Sequence, residues 1–256
     1  MVRTNKTKAK LKAGEIAIGC AVASPSPHMV ELIGAMGFDY VFIDGEHGSM
    51  EVSQVEDMVR AAELYDLTPI ARVPTNSYHD ILRFLDRGVM GVVVPHISSR
   101  ADAEAAVYAA KYYPEGERGS YTGGRVSAFG AAGLSPQEYY RQVNEQTMVI
   151  ALIESPGGVE NIEEIASVPG IDVVNIGPSD LSQTHGLPSA DVLEELIDTV
   201  VKAALAAGKA AGVGASSITN MERIEGYVAK GCRYVGLSSD DLFKYGARAA
   251  LERLRG

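Results

Sequence analysis

The chain has 256 residues, which is enough for one large α/β barrel or for two small domains. Its composition is 46% hydrophobic and 22% charged, the balance of an ordinary globular protein with a sizeable core. The formal net charge of −10 argues against nucleic acid as a partner, because a phosphate backbone requires a basic face. A membrane partner is not expected either, since no apolar run approaches the ~18 residues of a membrane span.

The pattern of strands and helices begins after a basic N-terminal segment, residues 1–14. This segment lacks the apolar stretch of a signal peptide, so we expect it to lie on the surface before the first strand. Cys20 and Cys232 each fall in or beside a predicted strand, which is typical of reduced core thiols. Together these features predict a cytoplasmic protein.

Apolar runs then alternate with amphipathic segments to the end of the chain, each run being short enough for a buried strand. Strands are predicted at residues 16–24, 40–44, 68–73, 91–97, 148–153, 171–176, 211–215 and 234–237. Helices are predicted at residues 28–36, 53–65, 79–87, 99–113, 136–145, 158–167, 191–207, 219–230 and from about residue 241.

Eight strands, each followed by a helix, suggest a single (β/α)8 TIM barrel that spans residues 1–256. Strands that are apolar throughout, rather than alternating, indicate a parallel sheet covered on both faces. The alternative is a doubly wound open sheet. That fold needs a reversal of strand order, and no G-x-G-x-x-G motif follows the first strand.

In such a barrel the side chains at the carboxyl ends of the strands meet at one mouth. Most of the predicted strands end in a charged or hydroxyl-bearing residue, which is more than alternation alone would produce. In chain order these residues are Asp44, Glu46, His47, Arg72, His96, Glu154, Ser179, Asp180, Ser238, Ser239 and Asp240.

Two of these acids, Glu154 and Asp180, end neighbouring strands. Converging carboxylates repel each other unless a cation lies between them, and such oxygen ligands suit Mg²⁺ or Mn²⁺. The pair therefore predicts a divalent metal site. A helix cap is the alternative role for Asp180.

Arg72 interrupts an apolar strand, so we expect it to bind an anion, either an enolate oxygen or an acid of the barrel. His47 follows two acids and is the candidate base. His96 either faces the mouth or has a structural role beside Pro95.

A divalent metal, an arginine and a histidine together suit enolate chemistry on a 2-oxo acid. No lysine lies at a predicted strand end, which argues against a Schiff base.

Several stretches resemble the HpcH/HpaI class II pyruvate aldolases. The most specific are the GEH, ESPGGVEN and GPSDL blocks, and the longer matches are GFDYVFIDGEHGSME, PIARVP, FLDRGVMGVVVPHISSRADAEAAVYAAKYYPEGERG, IALIESPGGVENIEEIASVPGIDVVNIGPSDLS and YVGLSSD. The resemblance implies a (β/α)8 barrel that assembles as a homohexamer, a trimer of dimers, with an exchanged last helix. It also implies a reaction between pyruvate and an aldehyde with Mg²⁺, Mn²⁺ or Co²⁺ as cofactor.

By this resemblance Glu154 and Asp180 bind the metal, His47 is the base, and Arg72 stabilises the enolate. The stretch Gly177, Pro178, Ser179 and Asp180 binds the pyruvate carboxylate. Asp86 acts near the site of a neighbouring subunit, and either Asp44 or Asp86 orients His47. The acceptor aldehyde is expected beside residues 114–134, which contain Arg118, Arg125 and six glycines.

The sequence departs from the family pattern in two places. Leu152 occupies the position where these aldolases usually carry Gln, so a polar contact near the metal is expected to be missing. The segment after GPSDLS is also shorter than in the dihydroxyheptenedioate enzymes, so the acceptor is expected to differ.

Family members with other C–C bond reactions, citrate-forming or decarboxylating, remain an alternative. A barrel without catalysis, used for binding or assembly, is disfavoured by the intact His47, Arg72, Glu154 and Asp180.

Overall fold

The computed structural model describes residues 2–131, 133–214 and 218–256. Eight parallel strands pair in chain order, and the last pairs with the first, so the sheet closes into a barrel. The predicted (β/α)8 TIM barrel is therefore confirmed, and the open doubly wound sheet is excluded. The strands are β1 (Ala17–Val22), β2 (Tyr40–Asp44), β3 (Thr68–Arg72), β4 (Gly91–Val94), β5 (Met148–Ile153), β6 (Val173–Ile176), β7 (Ala210–Val213) and β8 (Tyr234–Ser238).

Helices surround the barrel and connect successive strands. In chain order they are α1 (Lys6–Lys12), α2 (Pro27–Ala35), α3 (Val52–Leu64), α4 (Tyr78–Asp86), α5 (Arg100–Ala110), α6 (Pro136–Gln146), α7 (Pro156–Glu160), α8 (Ile162–Ala166), α9 (Pro178–Thr184), α10 (Ala190–Ala206), α11 (Met221–Ala229) and α12 (Ser239–Arg255). Short 3₁₀ helices lie at Arg125–Gly130 and Ile218–Asn220.

The structure differs from the predicted elements mainly at their ends. The predicted helix at 158–167 is divided into α7 and α8, because the backbone at Asn161 leaves helical geometry (φ −99°, ψ 15°). β4 ends at Val94 instead of at residue 97. The sequence pattern does not predict α9. The predicted end of the seventh strand, Ala215, lies outside the described residues.

The hydrophobic core has two layers. The larger lies between the strands and the helices, and its strand residues, such as Val41, Val92 and Ile153, are fully buried. The smaller fills the interior of the barrel, where the rings of Tyr40 and Tyr234 stack with their centroids 4.6 Å apart. Because both faces of most strands are covered, the strands are largely apolar; Ile18 of β1, which is 41% exposed, is an exception.

The prediction of a surface segment at the N-terminus is wrong, because α1 closes the amino-terminal end of the barrel. Lys8 is buried, and its Nζ donates to the carbonyl of Thr147 (2.8 Å) and pairs with Asp172 (3.0 Å). Leu11 packs against the cluster inside the barrel. The basic sequence conceals this role because polar partners, rather than an apolar face, hold the helix in place.

The prediction that residues 114–134 border the acceptor is wrong for the chain's own barrel. The described residues of this segment, 114–131, 133 and 134, lead from a helix back towards a strand, so they lie at the end opposite the mouth. Arg118 pairs with Asp86 at the end of α4 (2.9 Å), and Arg125 pairs with Glu63 near the end of α3. Both arginines therefore contribute to the amino-terminal face.

Both cysteines lie in the core of the protein. Cys20 and Cys232 are free and buried, as predicted for core thiols. Burial raises the pKa of Cys20 to about 12 and that of Cys232 to about 11, so both thiols are poor nucleophiles.

Across residues 2–131, 133–214 and 218–256, no helix combines the length and the apolar character needed to cross a bilayer.

We expect Asn5→Ala to destabilise the barrel through its amino-terminal closure. The buried Asn5 side chain caps α1 through Lys8 N (2.9 Å) and donates to the carbonyls of Met90 (3.0 Å) and Gln146 (2.9 Å). Loss of the cap and of two buried contacts should lower the free energy of unfolding by about 2–4 kcal/mol. Denaturant unfolding measures this, with Lys12→Ala on the exposed side of α1 as the control. Equal effects of the two substitutions would refute the structural role of Asn5.

Candidate active site

A cavity of about 250 Å³ opens at the carboxyl-terminal ends of the strands, where the sequence places the site. Its rim is polar, whereas its deeper wall includes apolar side chains such as Phe42 and Leu152. Of the residues to which the family resemblance assigns a catalytic, metal-binding or carboxylate-binding role, all except Asp86 line this cavity: Asp44, His47, Arg72, Glu154, Gly177, Pro178, Ser179 and Asp180.

Arg72 is bound in a two-pronged ion pair at the end of β3. Its Nε and Nη2 donate to the two carboxylate oxygens of Asp44 (2.9 and 2.6 Å), the residue opposite it on β2. Its Nη1 lies 3.0 Å from the carboxylate of Glu46. The predicted alternative, an ion pair with a barrel acid, is thus present. Three contacts occupy only part of the five N–H donors of a guanidinium, so donors remain for an anion in the cavity.

The ion pair also determines the charge of Asp44. Burial on its own would raise the pKa of Asp44. Hydrogen bonds from Arg72 and from the backbone N–H groups of His47 and Glu46 outweigh this effect, and the pKa lies below its ordinary value. Asp44 is therefore a fixed negative charge that keeps the guanidinium of Arg72 in place.

Glu154 is the most deeply buried acid of the site, with 2% of its side chain exposed. Its Oε1 accepts the backbone N–H of His96 (2.8 Å), and the Nδ1 of the His96 ring lies 3.1 Å away. Burial, together with the charges of Glu46 and Asp180, raises the pKa of Glu154. A carboxylate in this setting is stabilised by a cation, so the local chemistry fits a divalent metal.

Glu46, His96 and Glu154, which the sequence places at the same mouth without predicting a shared role, form a group that could hold a metal ion. One ligand atom from each lies within 4.8 Å of the others. The backbone at His96 adopts a left-handed conformation (φ 55°), which is uncommon for a residue other than glycine and frequent at functional sites. This turn directs both the N–H and the ring of His96 towards Glu154. The only available signal in the sequence was that His96 follows β4.

Asp180 lies in the first turn of α9, which starts directly after β6. The N-cap position is Gly177, and an acid in the first turn interacts favourably with the helix dipole, so a role at the start of the helix stays an alternative to metal binding for Asp180. Gly177 precedes the helix, and a Cβ there would lie 3.2 Å from Oε2 of Glu154. The absence of that side chain keeps the cavity open between Glu154 and α9.

His47 lines the cavity with an exposed side chain. Its backbone N–H donates to Asp44 (3.2 Å), but within the described chain its ring has no hydrogen bond to an acid. Asp86 lies at the other end of the barrel, where it accepts from the buried Arg118 (2.9 Å). Within one chain, therefore, Asp86 is not brought to the site and does not orient His47.

The fold and the site together define an enzyme of the TIM-barrel class, with a mouth suited to a divalent cation and an anionic substrate. Comparisons with known proteins agree. The model of the HpcH/HpaI aldolase/citrate lyase family matches residues 17–243. A 5-keto-4-deoxy-D-glucarate aldolase from Shigella dysenteriae serotype 1 (strain Sd197) is 34% identical over 239 residues, which cover 92% of this chain and 91% of that protein.

Solved structures give the same result. A HpcH/HpaI aldolase/citrate lyase family protein from Burkholderia cenocepacia J2315 is 30% identical, with a TM-score of 0.91 over 99% of this chain and 100% of that one. The citrate synthase SbnG is also 30% identical, with a TM-score of 0.83 over 97% of this chain and 98% of that one.

The chain therefore belongs to the HpcH/HpaI aldolase/citrate lyase family. The predicted function, a metal-dependent class II aldolase, and the predicted carbon–carbon lyase activity are confirmed at this level.

We expect Asp44→Asn to destabilise the protein in a manner that depends on pH. Because the folded pKa of Asp44 is lowered, its ion pair stabilises the fold above the ordinary pKa of Asp, about 4. That contribution is lost as the pH falls through the folded pKa. Breaking a largely buried pair should cost about 3 kcal/mol near neutral pH.

Denaturant unfolding of parent and variant across this pH range measures the difference. Asp66→Asn is the matched control, since the pair of Asp66 with Lys6 is exposed and should contribute less than about 1 kcal/mol. A difference between parent and Asp44→Asn that does not change with pH would contradict the assignment.

Proposed function

We propose that the protein catalyses a reversible aldol reaction between the enolate of pyruvate and an aldehyde, and so forms or cleaves a 4-hydroxy-2-oxo acid. The observation that carries the proposal is the cavity at the strand ends, where Arg72 retains free donors beside Glu154 and Asp180. The name of the relatives, 5-keto-4-deoxy-D-glucarate aldolase, supports an oxo acid as the substrate.

In this proposal Glu154 and Asp180 hold a divalent metal, Mg²⁺, Mn²⁺ or Co²⁺. The charge of Glu46 is already partly balanced by Arg72 at 3.0 Å, whereas Asp180 has no ion-pair partner among the described residues. Glu154 and Asp180 are thus the acids with the greatest need of a cation. When bound, the metal supplies a Lewis acid for the oxygens of a 2-oxo acid.

The remaining steps belong to the side chains and backbone of the chain. The free N–H groups of Arg72 hold the oxygen that becomes negative when pyruvate loses a C3 proton. His47, which has solvent access, moves that proton. The first turn of α9 after Gly177 and Pro178 presents the N–H groups of Ser179 and Asp180, which suit a carboxylate.

We also propose a single-domain cytoplasmic protein that assembles as a homohexamer, a trimer of dimers, with an exchanged C-terminal helix. The support is the weak packing of α12 on its own barrel: Phe243 and Leu254 are 75% and 84% exposed. In this assembly Asp86 acts near the site of a neighbouring subunit.

A second candidate is a citrate-forming or oxaloacetate-decarboxylating reaction. The similarity to the citrate synthase SbnG favours the first of these. Product analysis by NMR with oxaloacetate, with and without acetyl-coenzyme A and in the absence of any aldehyde, distinguishes it from the aldol reaction.

The metal assignment predicts the behaviour of pyruvate in deuterated water. Metal-free protein should not exchange the methyl protons of pyruvate, and Mg²⁺, Mn²⁺ or Co²⁺ should restore the exchange. Glu154→Gln and Asp180→Asn should each lower the exchange rate by about a hundredfold or more and weaken Mn²⁺ binding, measured by calorimetry. Glu15→Gln, exposed before β1, is the control.

The same titrations decide between the two sets of ligands. If Glu46→Gln and His96→Gln abolish Mn²⁺ binding while Asp180→Asn retains it, the metal lies within the group of Glu46, His96 and Glu154. Full exchange in excess EDTA would exclude a metal-dependent mechanism.

Arg72→Lys should lower kcat by about a hundredfold, or about 3 kcal/mol, with little loss of Mn²⁺ binding. Lysine keeps the charge but cannot hold Asp44 through two bonds and donate to the substrate at once. Steady-state aldol kinetics measure the effect, and Arg100→Lys, in an exposed pair on α5, is the control. A folded variant with the parent kcat would show that Arg72 does not act in the reaction.

A further inference from the structure

Asn175 is a buried amide that the proposed reaction does not use. It lies in the middle of β6, is 3% exposed, and lines the same cavity as Glu154 and Asp180. Within residues 2–131, 133–214 and 218–256, its Oδ1 has no hydrogen-bond partner. Burying a polar group in this way is unfavourable unless a ligand or a water molecule supplies the missing bond.

The register of the barrel places Asn175 below the proposed metal ligands. Asn175 pairs with Leu152 on β5, two residues before Glu154, so its side chain lies one layer deeper in the barrel. A Cβ at Gly177 would lie 3.2 Å from Glu154 Oε2 and 3.7 Å from the Leu152 side chain. Because glycine provides no Cβ there, the space around the Glu154 carboxylate continues down towards Asn175.

Glycines on the neighbouring strand make room for the amide. A Cβ at Gly212 of β7 would lie 2.7 Å from the carbonyl oxygen of Tyr234 and 2.8 Å from Oδ1 of Asn175, and one at Gly214 would lie 3.6 Å from Nδ2 of Asn175. A larger residue at Gly212 would therefore collide with the backbone of β8 as well as with the amide. The chain therefore accommodates a polar side chain at this depth, although an apolar one would fill the barrel without an unpaired oxygen.

The rest of the wall is apolar or aromatic, with Phe42, Leu152, Val213, Tyr40 and Tyr234 lining the same cavity. Among the described residues, the buried hydroxyl of Tyr234 also has no hydrogen-bond partner. The Tyr40 hydroxyl already donates to the carbonyl of Val235 (2.8 Å). A methyl group needs only apolar contacts, so this wall without Asn175 would suit pyruvate. An amide with a free acceptor instead matches a hydroxyl group.

We propose that Asn175 is a specificity-determining residue that selects a donor with a hydroxyl group on C3, that is, a 3-hydroxy-2-oxo acid. The inference rests on the proposed aldol function and specifies its donor. The cavity is lined by residues at the carboxyl ends of the strands, and the component that binds first occupies its deep part, so the donor rather than the aldehyde reaches Asn175.

The chemistry of the step balances without a further reactant. 3-Hydroxypyruvate loses one C3 proton to the base, and C3 forms a bond to the carbonyl carbon of the aldehyde. The aldehyde oxygen takes up a proton, and the product is a 3,4-dihydroxy-2-oxo acid. The overall reaction involves no oxidant or reductant. The C3 hydroxyl donates a hydrogen bond to Asn175 throughout.

The test compares 3-hydroxypyruvate and pyruvate as donors to glycolaldehyde with Mn²⁺-loaded full-length protein. The parent should show a kcat/KM at least about tenfold higher for 3-hydroxypyruvate. Asn175→Leu and Asn175→Ala should lower that ratio about tenfold or more, with the value for pyruvate changed less than about threefold. Ile150→Val, an apolar exchange inside the barrel but outside the lining of the cavity, should leave the ratio unchanged.

Each contrary outcome is distinct. An equal loss for both donors would make Asn175 a general positioning residue, and an unchanged ratio would mean that water satisfies the amide; either overturns the proposal. If the variants fail to fold, the preference of the parent still decides. A parent that uses pyruvate but not 3-hydroxypyruvate refutes this inference alone. A parent that enolises neither donor, judged by C3 proton exchange in deuterated water, refutes the proposed function.

Discussion

Four carboxylates and one guanidinium share the mouth of the barrel, and the balance among these charges determines how the site is arranged. Arg72 shares its single positive charge between Asp44, which it holds through two bonds, and Glu46, through contacts of 2.6–3.0 Å that also join the ends of β2 and β3. Glu154 and Asp180 remain, and burial beside other acids raises the pKa of Glu154. The site therefore has a negative charge at Glu154 and Asp180, where a cation can bind. It has a guanidinium in a fixed position at Arg72, where an anion can be oriented.

Glycine determines how closely these charges can approach one another. A side chain at Gly48 would collide with the carbonyl oxygen of Asp44, so the tight turn after β2 requires glycine. A Cβ at Gly177 would crowd the carboxylate of Glu154 at 3.2 Å. The GEHG and GPSD stretches are thus specific in sequence for two reasons: their ionisable residues supply the chemistry, and their glycines allow the backbone to turn beside it.

The sequence predicts the barrel well, because strands covered on both faces are short apolar runs with an unambiguous period. It also predicts that Arg72, Glu154 and Asp180 share one cavity, since parallel strands bring their carboxyl ends together. It does not predict that His96 turns onto Glu154, because that turn depends on a left-handed backbone stabilised by a contact distant in sequence. The amino-terminal helix was missed for a related reason: Lys8 is held by Thr147 and Asp172, far along the chain.

Buried charges at the amino-terminal end of the barrel are paired within the fold, whereas those at the carboxyl-terminal end are not fully balanced. The first arrangement serves stability and the second serves function. At the amino-terminal end, Lys111 donates to the carbonyls of Asn144 and Thr147 (both 2.7 Å), and Arg118 pairs with Asp86. Although Nε of Arg118 has no partner among the described residues, these charges are bound by groups of the fold itself, so they stabilise it without a ligand. At the carboxyl-terminal end, Glu154 is buried among like charges. Substitutions that relieve this repulsion would make the empty barrel more stable, but they would also remove its affinity for a cation, so the surplus of negative charge there is explained by function and not by folding.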